Sequence, residues 1–192
     1  VYNGFILLSA KNLSSRNTDI QKTRSNFVGS RLEYRNPLNN IFFNVSYNFN
    51  DRTNNVTFLN ELDEASQQFI IKGYNLENNS KTNSARTELG KYFPKFKTNA
   101  SVGYNYSLNN YQQLPANSTP TESSFIDVEG VNQGVSVKFN NNYFSWLSVD
   151  YNANWSFNNT KSPDDARFNN KTNSFNHALS AYVYPFKNHT LG

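Results

Sequence analysis

The stretch that decides the fold is Phe144 to Asn158, which reads FSWLSVDYNANWSFN. From Leu147 onward, two kinds of side chain alternate. The apolar set is Leu147, Val149, Tyr151, Ala153, Trp155 and Phe157, and the polar set is Ser148, Asp150, Asn152, Asn154, Ser156 and Asn158. Alternation with a period of two predicts a β-strand with one apolar and one polar face. A run of about 12 residues is twice the ~5–6 of an ordinary strand and covers the ~9–11 that a tilted strand needs to cross a membrane.

The polar side of this strand carries short side chains that are mostly uncharged. A strand of a soluble sandwich places its polar side in bulk water, where charge is common, whereas Asn and Ser suit a crowded and wet interior. We therefore predict a transmembrane strand, with Trp155 toward lipid and Asn154 toward a lumen.

The composition fits this prediction. The 192 residues include 16 Phe, 12 Tyr and 2 Trp, and only 17% are charged, yet the mean hydropathy is −0.74 because Asn, Ser and Thr are abundant. Such an aromatic content excludes a disordered chain. No run of ~18 apolar residues predicts a membrane helix. The sequence starts at Val1 without a signal-peptide pattern, which predicts a mature chain or a piece of a longer one.

Several function classes are disfavoured by the sequence. The net charge is +4, but Lys and Arg are scattered, so nucleic-acid binding is not expected. Cysteine is absent, which excludes disulfides and thiolate metal sites. The two histidines, His177 and His189, belong to no catalytic motif. We expect a protein that is not an enzyme, with no catalytic residues, no metal and no cofactor.

The same alternation recurs along the chain, and the connections between strands are alternately short and long. Short turns are predicted near 36–40, 93–96, 140–143 and 185–189, and long loops near 11–24, 51–80, 110–125 and 159–173. Outer-membrane barrels have this asymmetry, with short periplasmic turns and long extracellular loops. Residues 1–192 are therefore predicted to be an all-β, transmembrane, antiparallel up-and-down β-barrel segment of about eight strands, part of a larger barrel. Within the longest loop, Phe69 to Tyr74 fits an extra strand, and the acidic residues from Glu61 to Glu64 fit a short helical turn.

Aromatic residues cluster at each short turn, which is typical of a girdle at the membrane interface. The members of this predicted girdle are Tyr34, Phe43, Tyr92, Phe96, Tyr143, Phe144, Trp146, Tyr184 and Phe186.

The alternation also assigns side chains to lumen or lipid. The predicted lumen-facing residues are Arg31, Glu33, Arg86, Glu88, Lys138, Asp150, Asn152 and Asn154. The predicted lipid-facing residues are Val45, Tyr47, Val102, Tyr104, Val149, Tyr151 and Trp155. We expect the charges to pair across neighbouring strands as a structural lattice, with contact to a plug or a solute as the alternative. A solute passing these polar, nearly neutral walls would be a sugar or a peptide.

Three hairpins carry a family resemblance. They run from Arg31-Leu-Glu-Tyr-Arg-Asn-Pro through Asn44-Val-Ser-Tyr-Asn-Phe, from Gly90-Lys-Tyr-Phe-Pro-Lys-Phe through Gly103-Tyr-Asn-Tyr-Ser, and from Lys138-Phe through Asp150-Tyr-Asn-Ala-Asn-Trp. In these hairpins the chain resembles the barrel of TonB-dependent receptors from Bacteroidota-type Gram-negative bacteria. The resemblance implies a bacterial outer-membrane location and energised uptake of a nutrient through a barrel of about 22 strands. It also implies contact with outer-membrane lipid, a surface lipoprotein, and the TonB system through parts outside this chain.

Two alternatives remain open from the sequence. One is a small closed outer-membrane barrel of about eight strands that acts as an adhesin or a structural protein. The other is a soluble secreted β-sandwich that binds sugar through Tyr and Trp, and it would have to bury the Leu147 to Phe157 face against another sheet.

Overall fold

The computed structural model describes residues 5–9, 12–15, 18–63, 68–115, 120–121 and 124–184, and these form two β-sheets. The strands in chain order are β1 (Phe5–Ser9), β2 (Asn12–Ser15), β3 (Thr23–Asn36), β4 (Ile41–Asn54), β5 (Thr57–Asp63), β6 (Gln68–Tyr74), β7 (Asn78–Phe93), β8 (Thr98–Gln113), β9 (Ile126–Phe144), β10 (Leu147–Lys161) and β11 (Asn170–Val183). Short 3-10 turns lie at Pro94–Phe96 and Ala166–Phe168. Within the described ranges, no helix is long and apolar enough to cross a bilayer.

The large sheet has seven strands in the order β3-β4-β7-β8-β9-β10-β11. Every pairing in it is antiparallel, so the predicted all-β, up-and-down architecture is confirmed for this sheet. Among the described strands β3 and β11 remain open edges, and no closed barrel forms. Both edge strands run toward the short-turn end, so they are parallel to each other.

The register gives the large sheet two unlike faces. One row of paired residues crosses all seven strands as Leu32, Val45, Thr87, Tyr104, Val135, Trp155 and Phe175. The adjacent row, on the opposite face, is Arg31, Ser46, Arg86, Asn105, Gly134, Ser156 and Ser174. We call the face of the first row the apolar face and that of the second row the polar face.

The small sheet, in the order β1-β2-β6-β5, corrects part of the sequence prediction. Strand β1 lies in this sheet and pairs with β2. Residues predicted as loop, in 11–24 and 51–80, contain β2, β5 and β6, although β6 lies where an extra strand was expected. Glu61 and Asp63 belong to strand β5 rather than to a helical turn, because Thr57 and Leu59 are buried while Phe58 and Asn60 are exposed. Glu64 lies outside the described residues. The alternation of buried and exposed residues from Thr57 to Asn60 therefore indicates a strand, although acidic residues follow it.

The third short turn also differs from the prediction. Strand β9 continues through Asn140–Asn142 to Phe144, and the turn lies at Ser145 and Trp146. Three consecutive Asn residues are typical of a turn. Here the Asn141 amide instead donates to Thr98 Oγ1 (2.6 Å) and to the Phe96 carbonyl (3.0 Å), which holds the segment in the sheet.

All glycines in the seven long strands lie on the polar face. They are Gly29, Gly90, Gly103, Gly130 and Gly134. Cross-strand neighbours lie over four of them: Asn48, Phe42, Ser136 and Asn105 cover Gly29, Gly90, Gly103 and Gly134 respectively. None of the glycines has a positive φ, so they are needed for space and not for backbone conformation. Small residues on one face and rings on the other favour curvature of the sheet toward the polar face.

Gly90→Ala is expected to destabilise the sheet by about 1–3 kcal/mol, because the new methyl group overlaps the Phe42 ring. Gly130→Ala is the matched control, since its methyl group meets nothing closer than the Asn109 carbonyl oxygen at 3.8 Å. The control is expected to be neutral or to stabilise by about 0.4–1 kcal/mol. Urea unfolding of both variants measures the difference, and equal losses would contradict the described packing.

Burial is concentrated at the end of the large sheet opposite the short turns. The buried apolar residues there are Val56, Leu59, Leu114, Ile126 and Val128. Asn78 ties this end together: it accepts from the Asn54 amide (2.8 Å) and donates to Thr57 Oγ1 (2.6 Å). The buried Thr57 hydroxyl donates in turn to the Leu76 carbonyl (2.9 Å). These bonds fix the point where the chain leaves β4 for the small sheet and returns to β7.

Candidate functional site

All eight residues predicted to face a lumen lie on the polar face, at Arg31 and Glu33 of β3, Arg86 and Glu88 of β7, Lys138 of β9, and Asp150, Asn152 and Asn154 of β10. Their placement on one face is a fact of the register. That this face lines a lumen stays a prediction.

Four of these residues border two adjoining cavities: Arg31, Arg86 and Glu88 line one, and Arg31 and Glu33 line the other. Strand β4 separates Arg31 and Glu33 from Arg86 and Glu88, and it offers only short side chains between them, namely Asn44, Ser46 and Asn48. The open space above β4 has a volume of about 680 Å³ at the first turn and about 620 Å³ further along the strand. The two arginines and two glutamates therefore surround a wide polar groove.

The ion pairs in this groove form within strands and not across them. Arg31 pairs with Glu33, which also lies 3.9 Å from Arg35, and Arg86 lies 3.8 Å from Glu88. This corrects the expected cross-strand lattice, because the register places Ser46 directly between Arg31 and Arg86. Solvent-exposed pairs of this kind contribute about 0–1 kcal/mol each. Each charged group can therefore give up its ion-pair partner and bind a polar solute at little cost in free energy.

Lys138 and Asp150 are not paired with each other in the described part of the chain. Asp150 accepts a hydrogen bond from the Asn140 amide, which is its direct cross-strand partner. Lys138 lies opposite Ser101 on one side and Asn152 on the other. Asn152 and Asn154 are exposed and surrounded by short side chains. The polar face thus offers amide, hydroxyl, guanidinium and carboxylate groups that can hydrogen-bond a solute.

The predicted lipid-facing residues share the apolar face. These are Val45, Tyr47, Val102, Tyr104, Val149, Tyr151 and Trp155. Large side chains on this face stay uncovered by the described residues, as in Val102 (53% exposed), Trp155 (47%) and Leu179 (68%). An uncovered apolar area of this extent marks an interaction surface.

On three strands the apolar area ends at the same row of the ladder. On β4, β8 and β9 the last apolar residues of this face are Phe49, Leu108 and Val131, which share a row. The next row of the same face reads Asn26, Asp51, Lys81, Asn110, Glu129 and Lys161 across six strands. Between this row and the short turns, the apolar run covers about nine residues per strand, close to the ~9–11 of a membrane-crossing strand.

The predicted girdle residues lie near the short turns, but not all on one face. Tyr34 and Phe43 are paired on the apolar face, Phe96 is in the second turn, and Tyr92 is on the polar face. At the third turn Phe144 contacts both Tyr143 (5.1 Å between ring centroids) and Trp146 (5.6 Å). The Tyr184 amide donates to the Trp146 carbonyl (2.7 Å), and Phe186 lies outside the described residues.

The short turns are joined to each other by backbone hydrogen bonds. The Tyr92 amide donates to the Asn40 carbonyl (2.9 Å), and the Asn142 amide donates to the Lys97 carbonyl (3.0 Å). These bonds make the short-turn end a continuous rim. No local sequence pattern predicts these bonds, because they depend on the register between hairpins.

The connection between β10 and β11 is held by the buried Ser162. Its hydroxyl donates to the Asp127 carbonyl (2.8 Å) and accepts from the amides of Asp164 and Asp165 (3.3 Å each). Asp165 caps the following 3-10 turn and binds the Arg167 guanidinium at 2.6 Å. The hydrogen bonds from Arg167 lower the pKa of Asp165 below its ordinary value of 3.8. No metal-binding cluster of three or more ligands occurs among the described side chains.

Ser162→Ala is expected to loosen this connection, at a cost of about 1–3 kcal/mol, because the Asp127 carbonyl and two amides lose the buried hydroxyl as their partner. Hydrogen exchange at Asp164 and Asp165 measures the loosening, with Thr172 as a reference within β11.

Because the pKa of Asp165 is depressed in the folded protein, its ion pair with Arg167 is retained at every pH above the unfolded pKa. It is lost only as the pH falls through the lowered folded value.

The sequence matches no protein-family model and no curated protein.

Proposed function

We propose that this chain is part of the wall of an outer-membrane β-barrel transporter that takes up a polar nutrient. The apolar face contacts lipid and the polar face lines a water-filled lumen. The observation that carries the proposal is the ladder row from Asn26 to Lys161, which is polar on all six strands it crosses and borders the uncovered apolar face. A transmembrane barrel needs an outward apolar band with such a border.

Three features support this reading over the alternatives. A soluble sandwich needs a second sheet over Val135 and Leu179, but both are uncovered in the described structure (37% and 68% exposed). The glycines on the polar face suit the inside of a curved wall. A small barrel made by closing β3 onto β11 would need a parallel junction in an otherwise antiparallel sheet. Bacterial single-chain barrels have even numbers of antiparallel strands, so further strands are expected between these edges.

Uptake of a solute is supported by the groove between Arg31 and Arg86. It is lined by Arg31, Arg86 and Glu88, its floor is Asn and Ser, and its volume of about 620 Å³ accommodates a small sugar or peptide. The TonB-type energy coupling suggested by the sequence resemblance would act through parts outside this chain.

Alternating cysteines along β9 test the membrane orientation. The chain has no native cysteine, so each variant carries one thiol in this region. In whole membranes, a hydrophilic maleimide is expected to label Asn132→Cys, Ser136→Cys and Lys138→Cys but not Val131→Cys, Val135→Cys or Val137→Cys. In a soluble protein both sets would react, because residues on both faces are solvent-accessible. Labelling without a period of two would therefore refute the lipid and lumen assignment.

The transport step needs a separate test. Cells expressing the full-length protein are compared with cells carrying Arg31→Ala combined with Arg86→Ala, using a panel of neutral oligosaccharides and short peptides. Uptake of at least one solute is expected to fall about tenfold or more, the loss expected when buried or convergent hydrogen bonds to a substrate are removed. Arg167→Ala, outside the groove, serves as the control, and unchanged uptake of every solute in the groove variant would argue against transport through it.

A further inference from the structure

A further cavity lies at the border of the apolar face, at the end of the sheet opposite the short turns. It has a volume of about 400 Å³ and lies across β9, β10 and β11. Its lining residues are Val131, Gln133, Phe157, Asn158, Asn159, Lys171, Thr172 and Asn173. It opens on the face opposite the polar groove, so it takes no part in solute passage.

The cavity contains an unusual polar atom. Asn159 Oδ1 is buried and has no hydrogen-bond partner among the described residues. A buried acceptor left unsatisfied is unfavourable, so its presence calls for a donor that the described residues do not provide. The directly paired residue on β11 is the exposed cation Lys171.

Two more amides in the cavity have their oxygens already occupied. Asn173 Oδ1 accepts from Trp155 Nε1 (2.6 Å), and Gln133 Oε1 accepts from the Tyr104 hydroxyl (3.3 Å). The amide nitrogens of Asn173 and Gln133 thus remain as donors. Together with the Lys171 ammonium they form a set of donors suited to an anion, next to an acceptor suited to a hydroxyl group.

Aromatic rings continue from this cavity into the apolar band. Trp155 contacts Phe157 (5.1 Å between centroids) and Phe175 (6.3 Å), and Phe175 stacks on His177 (5.5 Å). Tyr151 also contacts His177 (6.3 Å). These rings form a continuous apolar track along β10 and β11, directly below the polar cavity.

We infer that this cavity binds the phosphate-bearing, hydroxylated headgroup of a membrane lipid, whose acyl chain lies along the track of rings. Lys171 and the amides of Gln133 and Asn173 bind the phosphate, and Asn159 accepts from a headgroup hydroxyl. The inference rests on the proposed membrane orientation, since only then does the cavity lie at headgroup depth.

Quenching of Trp155 fluorescence by brominated lipids tests the site. The full-length protein carries Trp146→Phe, which leaves Trp155 as the tryptophan of this region, and is reconstituted in phosphatidylcholine vesicles. Brominated phosphatidylglycerol, which bears a phosphate and hydroxyls, is compared with brominated phosphatidylcholine. We expect phosphatidylglycerol to be preferred about fivefold, the effect of roughly one lysine at a membrane surface. Lys171→Gln and Asn159→Leu should each reduce this preference, and free glycerol phosphate in the buffer should not compete with the lipid.

Lys161→Gln is the matched control, because Lys161 lies on the same face one ladder row above Asn159 and does not line the cavity. It should keep the fivefold preference. An equal loss in Lys161→Gln and Lys171→Gln would show general charge attraction and overturn the site. Equal quenching by both lipids would overturn the site while leaving the membrane orientation intact. Absence of quenching by either lipid would reject both the lipid site and the membrane orientation. Competition by free glycerol phosphate would assign the cavity to a soluble anion instead of a lipid.

Discussion

Val135→Arg is expected to lower the free energy of unfolding in a lipid bilayer by about 2–4 kcal/mol, the cost of a cation on the lipid face near the midplane. Val135 lies on β9 in the middle of the apolar run, between its paired neighbours Tyr104 and Trp155. Its side chain is 37% exposed, so arginine fits without steric conflict. The expected loss of stability therefore comes from placing a charge in lipid and not from disturbed packing.

Asn154→Arg on the neighbouring strand is the matched control. Asn154 is exposed on the polar face, where its cross-strand partners are Ser136 and Asn176. In a sheet with water on both faces, each substitution would change stability by no more than about 0.5 kcal/mol. Urea unfolding from vesicles, followed by the gel shift between folded and heated protein, measures both variants. Equal, small losses would contradict a lipid-facing wall.

The period-two pattern was sufficient to predict which residues share a face. Leu147 to Asn158 forms the predicted strand, and its two faces continue through the register of all seven strands. This works because side-chain direction in a strand is fixed by the backbone and requires no knowledge of its neighbours. The role of each face, toward lipid or lumen, remains a prediction.

Features that depend on pairing between strands could not be predicted in the same way. The small sheet is completed by parallel pairing of β2 with β6, which brings Asn12 opposite Phe69. No local pattern in either segment identifies its partner. Likewise, Arg31 and Glu33 pair within β3 because the register places Ser46 and Asn44 opposite them. Asn141 shows the same effect at the third turn, since its cross-strand hydrogen bonds override its turn preference.

The unsatisfied side-chain oxygen of Asn159 also could not be predicted from the sequence. Asn159 comes directly after the last residue of the alternating run, and its position suggested only a loop. Its importance comes from burial of a single oxygen atom between β9 and β11, which only the three-dimensional structure shows.

Ala181→Pro in β11 is expected to prevent assembly of the full-length protein, although β11 is an edge within the described sheet. The Tyr184 amide donates to Trp146 on the β10 side, so even-numbered amides of β11 face β10. The odd-numbered amides, including that of Ala181, face the open edge. Proline at position 181 removes this amide donor. The loss is tolerated only if no further strand pairs with the open edge of β11.

Ala178→Pro is the control, because its amide faces β10 and its loss breaks a described ladder in any case. The free edge lacks the usual protection of soluble edge strands: β11 contains no proline, and its one lysine or arginine is Lys171 near the start. Such an edge would promote aggregation unless another strand covers it. We therefore expect both variants to fail in the gel-shift assay for folded barrel. If Ala181→Pro instead assembles normally while Ala178→Pro does not, β11 is a true edge, and the seven strands are not part of a continuous barrel wall.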